Sequence, residues 1–158
     1  RQRQMCIRDS IYFIYSCKSN KNISYICTIN AINVMDEHHC LLCMGSNTNR
    51  YAQLSVAREA LRATFPDIHF GEMMETEAVG SGFHSPFSNQ LAKFSTTLSP
   101  DSVRDLFKEL ERRSGRIPED KAQGVVKLDI DLLVFDNKIL KPEDMEREYI
   151  RRGMSVLF

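Results

Sequence analysis

The 158-residue chain has no tryptophan and no surplus of either charge. It also has no apolar run near the roughly 18 residues that a membrane helix needs. Lys+Arg and Asp+Glu both number 21, and this balance argues against a dedicated nucleic-acid binder, which usually carries a basic excess. Internal repeats and low-complexity stretches are missing, so the chain is neither a solenoid nor a linker. With 42% hydrophobic and 27% charged residues it lacks the composition of a disordered protein. Its length suits one domain that buries about two-thirds of its unfolded surface without disulfides or metals.

The charge is unevenly distributed. Residues 1–35 hold five basic residues and one acid, a net of +4, and the remainder is −4. Arg1–Ser10 resembles translated adapter sequence, and Ile11–Asn33 shows no sustained period of 2 or 3.6. Arg8 followed by the apolar run Ile11–Cys17 could be read as a signal peptide. The run is short, an acid lies in its charged region, and no small-residue cleavage site follows. Residues 1–35 are therefore expected to be a non-native or disordered extension, with a natural start at Met35 and the domain over 36–158.

Three of the five cysteines (Cys6, Cys17, Cys27) lie in that extension. Cys40 and Cys43 form a CxxC with no second ligand pair behind it, as a zinc site would need. On a strand a spacing of three sends them to opposite faces. They are expected to be reduced thiols on a buried strand, which suits a cytosolic compartment.

Cys40–Met44 reads as a buried first strand, ending in the turn Gly45-Ser46-Asn47. A helix follows from about Arg50 to Thr64, with Leu54, Ala57, Leu61 and Phe65 in one stripe. Ile68–Thr76 reads as a second strand, Glu77–Ser88 as a Gly- and Ser-rich loop, and Asn89–Leu98 as a third strand. Ser99-Pro100-Asp101 supplies a cap, a proline for the first helical position and an acid for the dipole. Val103, Leu106, Phe107 and Leu110 then form a buried stripe that Gly115 terminates. Ile117–Gly124 reads as a polar loop. Val125–Phe135 is the clearest strand, with Val126, Leu128, Ile130, Leu132 and Val134 predicted on one face and Lys127, Asp129, Asp131, Leu133 and Phe135 on the other. Pro142–Arg152 reads as a charged helix. The order βαββαβ plus a C-terminal extension predicts an α+β fold of the ferredoxin-like kind, an antiparallel sheet with helices on one face.

The sharpest chemical feature is Leu128-Asp129-Ile130-Asp131-Leu132. Two carboxylates at i and i+2 share one strand face, about 6.6–7 Å apart at Cα, and they repel unless something positive lies between them. Such a pair can hold Mg²⁺ with substrate phosphates completing the shell. The plainer reading is a solvated face with the acids paired to Lys127 or an arginine. Gly45-Ser46-Asn47 could approach a phosphate or be an ordinary turn. Glu111 and Gly115-Arg116 could offer an acid and a phosphate-binding guanidinium, or simply end a helix with a helpful cation. Phe87 and Asn89 could stack on and pair with a planar heterocycle, or be a core Phe and a turn Asn.

Taken together, these residues resemble the 6-hydroxymethyl-7,8-dihydropterin pyrophosphokinase family of folate biosynthesis. The resemblance is carried by GSN at Gly45–Asn47, Thr76 and Gly80, Phe87-x-Asn89, SPDSVRDLFKELERRSGR with Glu111 and Gly115-Arg116, and LDIDLLVFD. It runs ungapped from about Glu72 to Asp136. It implies a ferredoxin-like fold and transfer of a pyrophosphoryl group from ATP to the pterin hydroxymethyl, with release of AMP. By the resemblance, Asp129 and Asp131 hold two Mg²⁺ ions, and Asp129, Asp131 and Arg116 form the catalytic group. Thr76, Glu77, Val79, Phe87 and Asn89 would bind the pterin, and Glu111, Arg116, Lys127 and Arg152 the ATP. A cytoplasmic monomer acting on small molecules, with no membrane or nucleic-acid partner, is implied. The sequence departs from the family pattern between GR and LDxD, where IPEDKAQGVVK replaces an Arg-rich loop with a Trp, and Val126 stands at an Arg position. Glu77 replaces a pterin-loop proline, and the Pro-His of the C-terminal region is missing. A catalytically impaired paralogue that binds a pterin or nucleotide, or a regulatory module on the same fold, is the alternative.

Overall fold

The computed structural model describes residues 36–78, 82 and 85–157. These fall within one unit running from Met35 to Phe158. The expected extension over 1–35, with Cys6, Cys17 and Cys27, lies outside the described residues, as do Val79 and Gly80.

The elements run β1 (His38–Ser46), α1 (Arg50–Thr64), β2 (His69–Thr76), β3 (Phe87–Thr96), α2 (Pro100–Arg113), α3 (Pro118–Ala122), β4 (Asp129–Phe135), β5 (Lys138–Ile139), α4 (Pro142–Met145) and α5 (Glu148–Leu157). The sheet order is β2-β3-β1-β4-β5, with every neighbouring pair antiparallel. This is the α+β, ferredoxin-like arrangement that the element order predicts. β1 lies at the centre of the sheet. Its run from Cys40 to Ser46 is buried throughout, because a central strand covered on both faces needs apolar residues on both.

Leu42 and Met44 of β1 point to the face that α1 and α2 cover. They meet Leu54, Ala57 and Leu61 of α1, Val103 and Phe107 of α2, and Ile130 and Leu132 of β4. α1 stops where Phe65 donates its N–H to Leu61 O and Pro66 cannot continue the ladder. α2 starts as its sequence predicts: Ser99 Oγ accepts from Ser102 N–H, with Pro100 next and Asp101 in the first turn.

Leu41, Cys43, Leu91 and Leu133 point the other way and are covered by the C-terminal extension through Ile150, with Met145, Tyr149, Met154 and Leu157 around it. Cys40 and Cys43 thus fall on opposite faces, both free and buried. Burial first, and nearby carboxylates second, push both thiols up to about 12. Among the described residues no helix is long and apolar enough to cross a membrane.

Gly153 lets α5 lie this close to the sheet. A Cβ there would stand 2.6 Å from Leu91 Cδ1 and 2.8 Å from Met74 Cε. Leu91 is fully buried, so it cannot yield freely. Gly153→Ala is expected to cost about 1–3 kcal/mol by overpacking, read as a lower urea midpoint at unchanged slope. A midpoint equal to wild type would show that α5 rides on the sheet loosely.

Several local readings need correction. The strand expected over Val125–Phe135 begins only at Asp129, because Asn47 occupies its first residues. Val126 N–H donates to Asn47 Oδ1 at 2.7 Å, Asn47 N–H donates to Val126 O, and Asn47 Nδ2 donates to Gly124 O. The expected strict alternation holds through Leu133 and fails at Val134 and Phe135. β1 pairs Leu41 with Val134 and Leu42 with Leu132, so Leu133 is a bulged residue. The bulge turns Leu133 and Val134 to the α5 face and Phe135 to the other. The polar loop Ile117–Gly124 contains α3, which opens on Pro118 while Asp120 accepts the Ile117 N–H. The helix expected over Pro142–Arg152 is broken at Glu146-Arg147 into α4 and α5. A tightened turn there, Arg147 N–H to Asp144 O, re-phases the chain so that Ile150, Met154 and Leu157 share the sheet-facing side.

Candidate functional site

A cavity of about 830 Å³ opens on the α5 face of the sheet. Its walls are the ends of β1, β2 and β3, the exposed face of β4, the Val125-Val126 loop, and α4 with α5. The register explains why polar groups gather there. Asn89 of β3, Gly45 of β1 and Asp129 of β4 lie in one row across the sheet, and Leu91, Cys43 and Asp131 lie in the next row of that face. Gly45 has no side chain to fill the gap between Asn89 and Asp129. A Cβ on it would stand 2.6 Å from Asn89 Oδ1.

The Asn89 amide is nearly buried and fixed. Its Nδ2 donates to Thr76 Oγ1 at 2.8 Å. Phe87 lies half-buried two residues earlier and also lines the cavity. Glu77 is an exposed rim residue. Glu75 of β2 also borders the cavity and is held by Arg50 at 3.1 Å and by the Tyr51 hydroxyl.

Asp129 and Asp131 both line the cavity, with side chains 41% and 28% exposed. Each has one cation on Oδ1: Arg116 Nη1 at 2.6 Å from Asp129, and Lys141 Nζ at 2.7 Å from Asp131. Among the described residues neither Oδ2 has a hydrogen-bond partner. Partial burial works against the charge on Arg116 and on Lys141. Burial is the largest single effect on each, but the surrounding carboxylates together outweigh it and leave the cation above its ordinary pKa: Asp129 and Glu111 for Arg116, and Asp131 with Asp144 and Asp129 for Lys141.

Two carboxylates do not close a cage. Among the described residues no three His, Cys, Asp or Glu side chains group to hold an ion. A pair of hard oxygen donors with free lone pairs on a roomy cavity fits Mg²⁺, which keeps waters and takes substrate phosphates into its shell.

The structure brings together Thr76, Glu77, Phe87, Asn89, Arg116, Asp129, Asp131 and Arg152 from the sequence-based set. It does not bring Glu111 or Lys127 to the cavity lining. Glu111 is 3% exposed, accepts from Lys108 and Arg116, and takes the buried Ile130 N–H at 3.0 Å. It braces the end of α2 against β4. Lys127 is turned to Gly115 O and Asp120. Gly45 and Ser46 are not a turn but the last residues of β1, which runs past the end expected at Met44, and Asn47 after them binds the neighbouring loop.

Sequence reasoning missed Asp144, Arg147 and Tyr149, which line the cavity from α4 and α5. Arg147 pairs with Asp144 at 3.0 Å. Burial first, and the Cys43 thiol second, push Tyr149 up to about 12. No local signal separates these residues from a solvated helix face, because the break at Glu146-Arg147 decides which way they turn. Lys141 was likewise anonymous, ten residues from the acid it holds.

No curated protein matches the chain. Residues 41–157, well over half of it, match the family model for 7,8-dihydro-6-hydroxymethylpterin-pyrophosphokinase (HPPK). With the ferredoxin-like sheet and the carboxylate-lined cavity already established on independent grounds, the chain belongs to the HPPK family.

Proposed function

We propose that this protein is an active pyrophosphokinase of folate synthesis, transferring the pyrophosphoryl group of Mg-ATP to 6-hydroxymethyl-7,8-dihydropterin. The observation that carries the reading is the sheet row in which a fixed amide, Asn89, and a carboxylate, Asp129, face one cavity across a bare glycine. One end of that row suits a planar heterocycle and the other a phosphate-bound cation.

The pterin hydroxyl oxygen forms a bond to the β-phosphorus as its proton passes to solvent, the bond from that phosphorus to the bridging oxygen of the α-phosphate breaks, and AMP leaves with that oxygen. Little covalent chemistry falls to the protein, so its residues act by positioning and electrostatics. Asn89, held by Thr76, presents a preset amide to the heterocycle edge, and Phe87 offers a ring to its face. Asp129 and Asp131 would hold two Mg²⁺ ions, which when bound neutralise phosphate charge. Arg116 keeps Asp129 in place and, with Arg152, supplies guanidinium groups for the phosphates. The C-terminal helices line one side of the site. On this reading the protein works as a cytoplasmic monomer on small molecules.

The test is AMP release by the full chain supplied with the pterin, ATP and Mg²⁺. Absence of AMP above a no-pterin control would reject the reading. A second reading, ligand binding without turnover, is favoured by Val126. It lines the cavity where the resemblance places an arginine, and Val cannot replace a bidentate phosphate ligand. Calorimetric binding of a non-hydrolysable ATP analogue with no AMP formed would select it.

Gly45→Ala probes the row. The clashing atom is the end of a side chain, so Asn89 can swing away, and the variant is expected to fold with a loss of about 1 kcal/mol. Pterin affinity is expected to fall about tenfold, since one well-placed hydrogen-bonding group is lost. Equal pterin affinity in the variant and wild type, by calorimetry, would remove Asn89 from the site.

A further inference from the structure

The two carboxylates of the cavity are neutralised by cations of different character. Arg116 Nη1 has three acceptors: Asp129, Glu111 and the Leu128 carbonyl. It is a fixed part of the joint between α2 and β4. Lys141 Nζ has one acceptor among the described residues, Asp131 Oδ1. Its side chain is 46% exposed, and its backbone is anchored at the start of α4, where Lys141 O accepts the Met145 N–H. The stem is tethered and its tip is held only by the carboxylate.

We propose that Lys141 is the resident counter-ion of Asp131, displaced when a divalent cation binds, and that its released ammonium then positions the nucleotide phosphates held by that cation. The proposal rests on the reading of Asp129 and Asp131 as the metal-binding pair. Two like charges on one strand face need a positive group when no ion is bound. A half-exposed ammonium pair is weak, so a divalent ion competes it away at little cost. A compact charge with rotatable donors on a flexible stem then suits phosphate oxygens that arrive beside it. Lys141 is a positioning residue here, and nothing in its sequence context marks it.

The experiment measures Mn²⁺ binding to the full chain without nucleotide, by electron paramagnetic resonance of the free ion, together with steady-state kinetics. Lys141→Met keeps length and loses charge. It is expected to bind Mn²⁺ about threefold tighter than wild type, because the competitor is gone, while its KM for Mg-ATP rises about tenfold and kcat changes less. Lys141→Arg is expected to stay near wild type in Mn²⁺ affinity. A merely structural lysine would not tighten metal binding when removed. Mn²⁺ affinity in Lys141→Met no higher than wild type overturns the counter-ion role, and an unchanged KM for Mg-ATP overturns the phosphate role. If wild type binds no Mn²⁺, or Asp131→Asn binds it as well as wild type, the metal reading of the pair falls and the proposal falls with it.

Discussion

Replacing Asp129 and Asp131 together by alanine is expected to reduce AMP formation by about a thousandfold or more while leaving the fold intact. Charge neutralisation by a bound divalent ion is worth several kcal/mol in the transition state, and about 4 kcal/mol corresponds to a factor of about a thousand. The fold survives because neither side chain supports the core. Both project into the cavity, and the apolar residues of β4 in the core under α1 and α2 are Ile130, Leu132 and Phe135. Arg116 keeps Glu111 when Asp129 is gone, and Lys141 is half-exposed and simply hydrates. Removing two like charges from one strand face offsets part of the lost pairing. The urea midpoint should therefore change by less than the equivalent of about 1 kcal/mol. A double variant that is fully folded and turns over at the wild-type rate would end the assignment of these carboxylates to chemistry. Collapse of stability instead would make them structural.

The second large effect lies outside the cavity. Glu111→Ala is expected to destabilise the protein by about 3–5 kcal/mol, the cost of breaking a buried ion pair from one side. Its carboxylate satisfies three groups at once: Lys108, Arg116 and the Ile130 N–H. Lys108 is exposed and loses little. The Ile130 amide becomes a buried donor without an acceptor, at about 1–3 kcal/mol. Arg116 loses its buried anchor and is left with Asp129 and the Leu128 carbonyl. For a domain of this size the melting temperature should fall by about 10 °C or more. Glu111→Gln keeps an acceptor for the Ile130 N–H and gives up only the charge, so its loss should be clearly smaller. A melting temperature within about 2 °C of wild type in Glu111→Ala would show that α2 and β4 are joined by their apolar contacts alone. Glu111 read from sequence suggested a nucleotide ligand; its burial makes it the brace on which the position of Asp129 depends.

The contrast between Glu111 and Asp129 shows where sequence reasoning reached and where it stopped. The alternation Leu128, Ile130, Leu132 against Asp129, Asp131 needs only the two-residue period of a strand, and the two acids do share a face. Ser99-Pro100-Asp101 starts α2 through a hydroxyl, a ring and a charge all within four residues. The Cys40–Cys43 spacing set opposite faces correctly by the same parity. Phe87, Asn89 and Thr76 were legible as a group through the resemblance, and the register of β2, β3 and β1 brings them to one cavity. Parity failed after Leu133, at Val134 and Phe135, because the bulge inserts a residue that no local signal announces.

Determined within the chain itself were the identities of β1, α1, β2, β3, α2 and β4, the helix start at Ser99 and the shared face of the two aspartates, since each rests on groups a few residues apart. Left to the packed molecule were the partners of the charges: Arg116 meeting Asp129 across 13 positions, Lys141 meeting Asp131, Glu111 sealed under Ile130, and α5 covering the second face. Those contacts join groups that are distant in sequence. They form only when buried apolar faces have set the distances between elements, so no short window of residues contains them.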